Sequence, residues 1–158
     1  MLFFRKGLLL ALTVLVLDQL SKLWALNELA TSRIDIIPGF FEFVLVQNFG
    51  VAFGMLNEVG SGWKDYFLIT VAIVAVLVLT YMLYRCQRIL EAITFSLVIG
   101  GAIGNVIDRI RLGWVVDFIH VHWHDLSWPV FNIADSAISV GICLILLDNL
   151  RRDDKRTD

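Results

Sequence analysis

Four apolar segments decide what this chain can become. Residues 7–26, 66–84, 89–107 and 133–147 are each apolar over most of their length. A helix needs ~20 such residues to cross the hydrocarbon layer of a bilayer. The last segment is short for that task unless its polar start is counted. The chain has 158 residues and is 58% hydrophobic, with a mean hydropathy of +0.77. Soluble domains are about half apolar at most, so the excess points to lipid. The expected fold is an all-α polytopic membrane protein forming one domain over residues 1–158. A net charge of −2 does not suggest nucleic acid, and no nucleic acid partner is expected. The two cysteines, Cys86 and Cys143, lie in or beside spans and make no disulfide framework. Arg5 and Lys6 before an apolar run resemble a secretory leader. Asp18 and Lys22 interrupt that run, and no small-x-small site precedes them, so a retained helix is expected.

The Lys/Arg distribution sets a direction. With the N-terminus inside, Arg5, Lys6, Arg85, Arg88, Arg151, Arg152, Lys155 and Arg156 lie on the inner side. Arg33, Lys64, Arg109 and Arg111 lie on the outer side, and Lys22 is inside a span. Both termini are therefore expected in the cytoplasm, the charged tail 151–158 being mobile. Trp24, Trp63, Trp114, Trp123 and Trp128 all fall at outer ends of spans or in outer loops, where indole rings favour the interface. Segments 34–54 and 114–123 read as extended. "FFEFVLVQN" (40–48) is rich in strand formers, with Gly50 and Gly54 as bends. Together these segments predict a small β subdomain on the outer, periplasmic membrane surface.

The polar residues inside the spans converge. Asp18 and Lys22 are spaced i,i+4 and can pair. In "GGAIGNVIDR" (100–109), Gly101, Asn105 and Asp108 share a helix face, with Arg109 beside them. The fourth span begins with Asn132 and Asp135. A lone charge at a helix centre costs ~2.5–3.5 kcal/mol on insertion scales, so these groups should face one another or water near the outer rim. Plainer readings stand beside this one. Asp18–Lys22 can be a structural ion pair, Gly100, Gly101 and Gly104 can serve close helix packing, and Asn132 with Asp135 can be a helix cap.

Asp135 has a candidate partner. In "VVDFI" (115–119), an extended backbone puts Asp117 on a face with Val115, Ile119 and Val121. A carboxylate there is poorly solvated and holds its proton, unless it is an ordinary turn acid or salt-bridge partner. A helix N-terminus favours the ionised form of Asp135. Two acids in unlike environments sharing one proton is the pattern of aspartic peptidases. "HVHWH" puts His120, His122 and His124 on one strand face, pointing away from Asp117, if the strand runs that far. Simple polar contacts are the expectation there, and no metal is expected. A Ser21–Lys22 dyad is disfavoured, because adjacent helical residues point about 100° apart. No HExxH, GxSxG, Walker or CxxC motif is present. The intramembrane acids alone also fit a proton-coupled transporter.

With "DQLSK" (18–22), "NFGVAFG" (48–54), "GGAIGNVIDR", "VVDFI" and "FNIADSAI" (131–138) in this order, the chain resembles the lipoprotein signal peptidases, the type II bacterial signal peptidases. The resemblance covers nearly the whole chain and implies a bacterial inner-membrane aspartic endopeptidase without cofactor. Its substrates would be diacylglyceryl-modified prolipoproteins, cut just before the lipidated cysteine. Asp117 and Asp135 match the family's catalytic pair. Asp18, Lys22, Asn48, Gly50, Asn105, Asp108, Arg109, Asn132 and Ala134 match its other motif positions, in substrate binding or support of the site. Lys22 is expected to snorkel toward the outer surface. Membrane lipids are the other expected partner, and a monomer is the expected state.

Overall fold

The structure, a computed structural model, describes residues 2–50 and 63–154. It has four helices, α1 (Leu2–Glu28), α2 (Trp63–Arg85), α3 (Ile89–Leu112) and α4 (Ile133–Asp154), and four strands, β1 (Ile34–Ile37), β2 (Phe41–Asn48), β3 (Val115–Trp123) and β4 (Leu126–Ser127). All four helices contain a stretch long and apolar enough to cross a membrane. Each runs past its apolar segment. The fourth gains its length at its C-terminal end, because backbone hydrogen bonds continue through polar residues once a helix is under way.

The helices are apolar on the outside. In α1, Gly7, Ala11, Val14, Asp18, Lys22 and Ala25 are buried, a stripe at spacings of three and four. Leu9, Leu12, Val16, Leu17 and Leu20 are exposed. Small and polar residues inward with large apolar residues outward is the arrangement of helices solvated by lipid. Helix α3 is the spine and packs against the other three. A methyl group on Gly100 would meet the Ala11 carbonyl oxygen at 2.5 Å, and one on Gly101 the Ala134 carbonyl oxygen at 2.5 Å. The glycine run thus lets α1 and α4 approach α3 at backbone contact, as its packing reading expected. At the far end of the bundle, Arg88 grips Asp148 with two hydrogen bonds of 2.6 and 2.7 Å, tying the start of α3 to α4.

The strands form one antiparallel sheet in the order β1-β2-β3-β4. Pro38 and Gly39 turn the chain between β1 and β2, Gly39 at φ +76°, and Phe40 N–H closes the turn on the Ile37 carbonyl at 3.0 Å. In register, Val46 opposes Asp117 and Asn48 opposes Val115. The sheet caps the end of the bundle where α1 finishes. Trp24 of α1 meets Phe43 and Phe118 edge-on, with ring centroids 5.3 and 6.1 Å apart. Ala25, Leu29, Val116 and Phe118 form the core there. Trp63, Trp123 and Trp128 are exposed.

One expectation is corrected. β3 ends at Trp123, and His124 sits at φ +53° in the turn to β4. The three histidines therefore do not share a strand face. Glu42, opposite His120 across β2 and β3, joins His120 and His122 instead. The bend expected at Gly54 and the tail beyond Asp154 lie outside the described residues.

Candidate active site

The polar residues of α1, α3 and α4 do converge, and they do so around a lysine. The Lys22 ammonium lies 2.9 Å from Asp18 Oδ2 and 2.8 Å from Asp108 Oδ2, and donates to Asn105 Oδ1 at 2.8 Å. Only 2% of Lys22 is exposed. Instead of snorkelling it turns into the bundle, where two carboxylates and an amide receive its ammonium. Both carboxylates are otherwise satisfied. Asp18 Oδ1 accepts the Ala134 N–H at 2.9 Å, and Asp108 Oδ2 accepts the Val116 N–H at 3.2 Å. The ion cluster therefore fastens the start of α4 to α1 and the start of β3 to α3.

Sequence reasoning missed Gln19. Its amide donates to Asp18 Oδ2, to the Gly104 carbonyl and to Asp108 Oδ1 at 3.3, 3.2 and 3.1 Å. The available signal was an uncharged polar residue one helical turn before Lys22, in a run where polar groups are costly.

Asn105 joins this cluster to a second one. Its Oδ1 accepts from Lys22 and, at 3.3 Å, from Asn132 Nδ2. Its Nδ2 donates to Asp135 Oδ1 at 2.8 Å. Asn132 also donates to Asp117 Oδ1 at 2.7 Å and to the Val116 carbonyl at 3.2 Å. Its own Oδ1 accepts the Asp135 N–H at 2.8 Å, which caps α4. The cap reading and the bridging role are thus the same side chain used from both ends. Asp117 and Asp135, from a strand and from a helix tip, are linked through two asparagines.

Asn48 completes the surround of Asp117. It ends β2 and donates to Asp117 Oδ2 at 2.8 Å, while its Oδ1 accepts the Gly50 N–H at 2.8 Å. That turn needs Gly50, which sits at φ +88°, where side chains other than glycine are strained. Burial pushes the Asp117 carboxyl up to about 6, and the negative charge of Asp135 adds to the rise. The hydrogen bonds from Asn48 and Asn132 and the charge of Lys22 oppose it without cancelling it. Asp117 is 1% exposed, whereas Asp135 is half-buried. Ala134 is fully buried and contributes its N–H to Asp18. Arg109 is half-buried on α3 beside Asp108, and Asn48, Asn105 and Asn132 supply hydrogen bonds to the two aspartates.

The sequence profile of the family described as Signal peptidase (SPase) II matches residues 10–151. The chain belongs to the signal peptidase II family. A lipoprotein signal peptidase of Teredinibacter turnerae is 44% identical over 142 residues, covering 89% of this chain and 84% of the relative. One of Polynucleobacter necessarius is 44% identical over 146 residues, covering 92% and 89%. The fold agrees. A solved bacterial membrane enzyme, determined by the in meso method at 2.3 Å resolution, superposes with a TM-score of 0.82 at 31% identity, covering 96% of this chain and 91% of that one. The resemblance carried by the five motifs is thereby borne out, and this family member is a multi-pass membrane peptidase.

Proposed function

We propose that the chain is an aspartic endopeptidase that removes the signal peptide from diacylglyceryl-modified prolipoproteins by cutting just before the lipidated cysteine, with Asp117 and Asp135 as the catalytic pair. The observation that carries this reading is that the two carboxylates, from different elements, are joined through a bonded asparagine pair, Asn132 on Asp117 and Asn105 on Asp135. Asp117, buried and raised toward neutrality, holds the shared proton. Asp135, half-buried at the tip of α4, is the base that water can reach.

The steps follow. Asp135 takes a proton from a water as the water attacks the scissile carbonyl. Asp117 passes its proton to the carbonyl oxygen, and a neutral tetrahedral gem-diol forms with no acyl-enzyme. Return of a proton to the leaving amine completes cleavage. Asn105 and Asn132 hold each carboxylate at a fixed angle, and Asn48 holds the second oxygen of Asp117.

A signal peptide is itself a membrane helix, and its acylated cysteine is anchored at the lipid surface. The helix must unwind locally, since an intact helix shields its carbonyls. β1 pairs with β2 only over Phe41–Phe43. Among the described residues, no strand pairs with that side of β2 over residues 44–48, which leads to Asp117 and suits an extended peptide. The Lys/Arg bias favours an inner-membrane protein with cytoplasmic termini and a periplasmic site, and a single chain supplies every group named.

Purified protein incubated with a lipidated prolipoprotein should release the signal peptide, leaving cysteine as the new N-terminus. The same substrate without lipid should be cut poorly or not at all. Proton flux in proteoliposomes with no peptide product would replace this reading by a transporter.

A further inference from the structure

Glu42, His120 and His122 gather on the sheet face opposite Asp117, and none of them enters the mechanism above. Glu42 and His120 are cross-strand partners, and His122, two residues on, projects to the same side. Glu42 Oε1 lies 2.8 Å from His120 Nδ1 and 3.9 Å from His122 Nε2. A ligand atom from each of the three lies within 4.8 Å of the others. Ligands held ~2.0–2.2 Å from a tetrahedral zinc ion lie roughly 3.4 Å apart, so small side-chain rotations bring this set onto a common centre.

Two further features fit a metal. His120 already has an outer partner, since its Nε2 lies 2.8 Å from Ser127 Oγ. Metal-binding histidines are commonly oriented in this way by a hydrogen bond at the nitrogen away from the ion. The His120 and His122 rings are only 30° from parallel, with centroids 4.9 Å apart, so neither blocks the other. Arg33 is a nearby cation. It approaches the other oxygen, Glu42 Oε2, at 3.7 Å and is 67% exposed, so it can swing clear. Asp35 opposes Glu42 across β1 and β2 and offsets that charge.

We propose that Glu42, His120 and His122 form a divalent transition-metal site, taking zinc through two imidazole nitrogens and one carboxylate oxygen, with solvent completing the shell. Nitrogen donors select zinc-like ions over calcium or magnesium. The ion clips β2 to β3, the strands that carry Asn48 and Asp117. Its role is to hold the sheet, not to activate water for cleavage.

The test uses the full-length protein without a histidine tag, stripped with EDTA in detergent and titrated with zinc chloride by calorimetry. Cobalt absorption and thermal unfolding are followed in parallel. A single saturating equivalent, a tetrahedral cobalt spectrum and a raised unfolding temperature are expected. His122→Ala should abolish binding, Ser127→Ala should weaken it on the order of tenfold, and His124→Ala should leave it unchanged. Circular dichroism and peptide cleavage show that each variant is folded. Sub-stoichiometric binding, or binding that His122→Ala leaves intact, overturns the site. Loss of cleavage on chelation with recovery on adding zinc overturns the purely structural role.

Discussion

The molecule holds two acidic pairs at the end of its bundle and treats them differently. Asp18 and Asp108 share the ammonium of Lys22 and receive backbone N–H groups from two other elements. Asp117 and Asp135 receive neutral amides, from Asn48, Asn105 and Asn132. One amide, that of Asn105, belongs to both groups. Compensated charge is inert and ties helices together. A carboxyl held by neutral amides in poor solvent keeps a proton available near neutrality, which acid–base chemistry needs. The two halves therefore divide the labour: the lysine cluster fixes where α1, α3 and α4 stand, and the asparagine bridge sets two acids on that base.

The largest expected effect tests the amide-held half. Asp117→Asn and Asp135→Asn should each lower cleavage of a lipidated substrate on the order of 10³-fold or more, while the protein still inserts and folds. Substantial cleavage by either variant would remove the catalytic half of the contrast. Next comes the compensated half. Lys22→Met strands two buried carboxylates and should destabilise the protein by about 3–5 kcal/mol in reversible unfolding in detergent. The triple variant Asp18→Asn/Lys22→Met/Asp108→Asn should recover most of that loss. If Lys22→Met is neutral, the cluster is not the anchor described.

The pH dependence comes third. The fold binds the Asp117 proton more tightly than the unfolded chain does, raising that carboxyl from 3.8 to about 6. This contribution to stability is full below 3.8 and is lost as pH rises through about 6, by at most about 3 kcal/mol. Cleavage should also fall as pH climbs beyond that point, approaching tenfold per unit. Asn48→Ala removes an opposing hydrogen bond and should move this limb to higher pH. A limb that stays in place would separate Asn48 from the proton. The smallest effect is steric. Gly101→Ala drives a methyl group at the Ala134 carbonyl, 2.5 Å away, and should cost about 1–3 kcal/mol.

The helices were legible because lipid selects for length and apolarity, properties that a run of sequence displays directly. Helix ends were less so, since α1 and α4 continue through polar residues that hydropathy scores against. Asp18, Lys22, Asn105 and Asp108 stood out because polar groups in such runs need partners. The Asp18–Lys22 pair followed from i,i+4 spacing, whereas the partners on other elements did not. Lys22 turned inward because acceptors on α3 lay close by, a fact of helix packing and not of local pattern. The Asn48–Asp117 bond spans 69 positions and depends on how β2 registers against β3. Gln19 stayed hidden because an uncharged amide beside an aspartate reads as filler.

Helix α2 contributes no side chain to either polar group among the described residues, and it packs chiefly on α3. Much of its surface, including Val74, Leu77, Val78 and Tyr81, is exposed. That makes it the natural attachment point for a reporter. A spin label or fluorophore at Leu77, with Cys86 and Cys143 replaced, would sense depth, tilt and surrounding acyl chains while the chemistry at the other end of the bundle runs undisturbed.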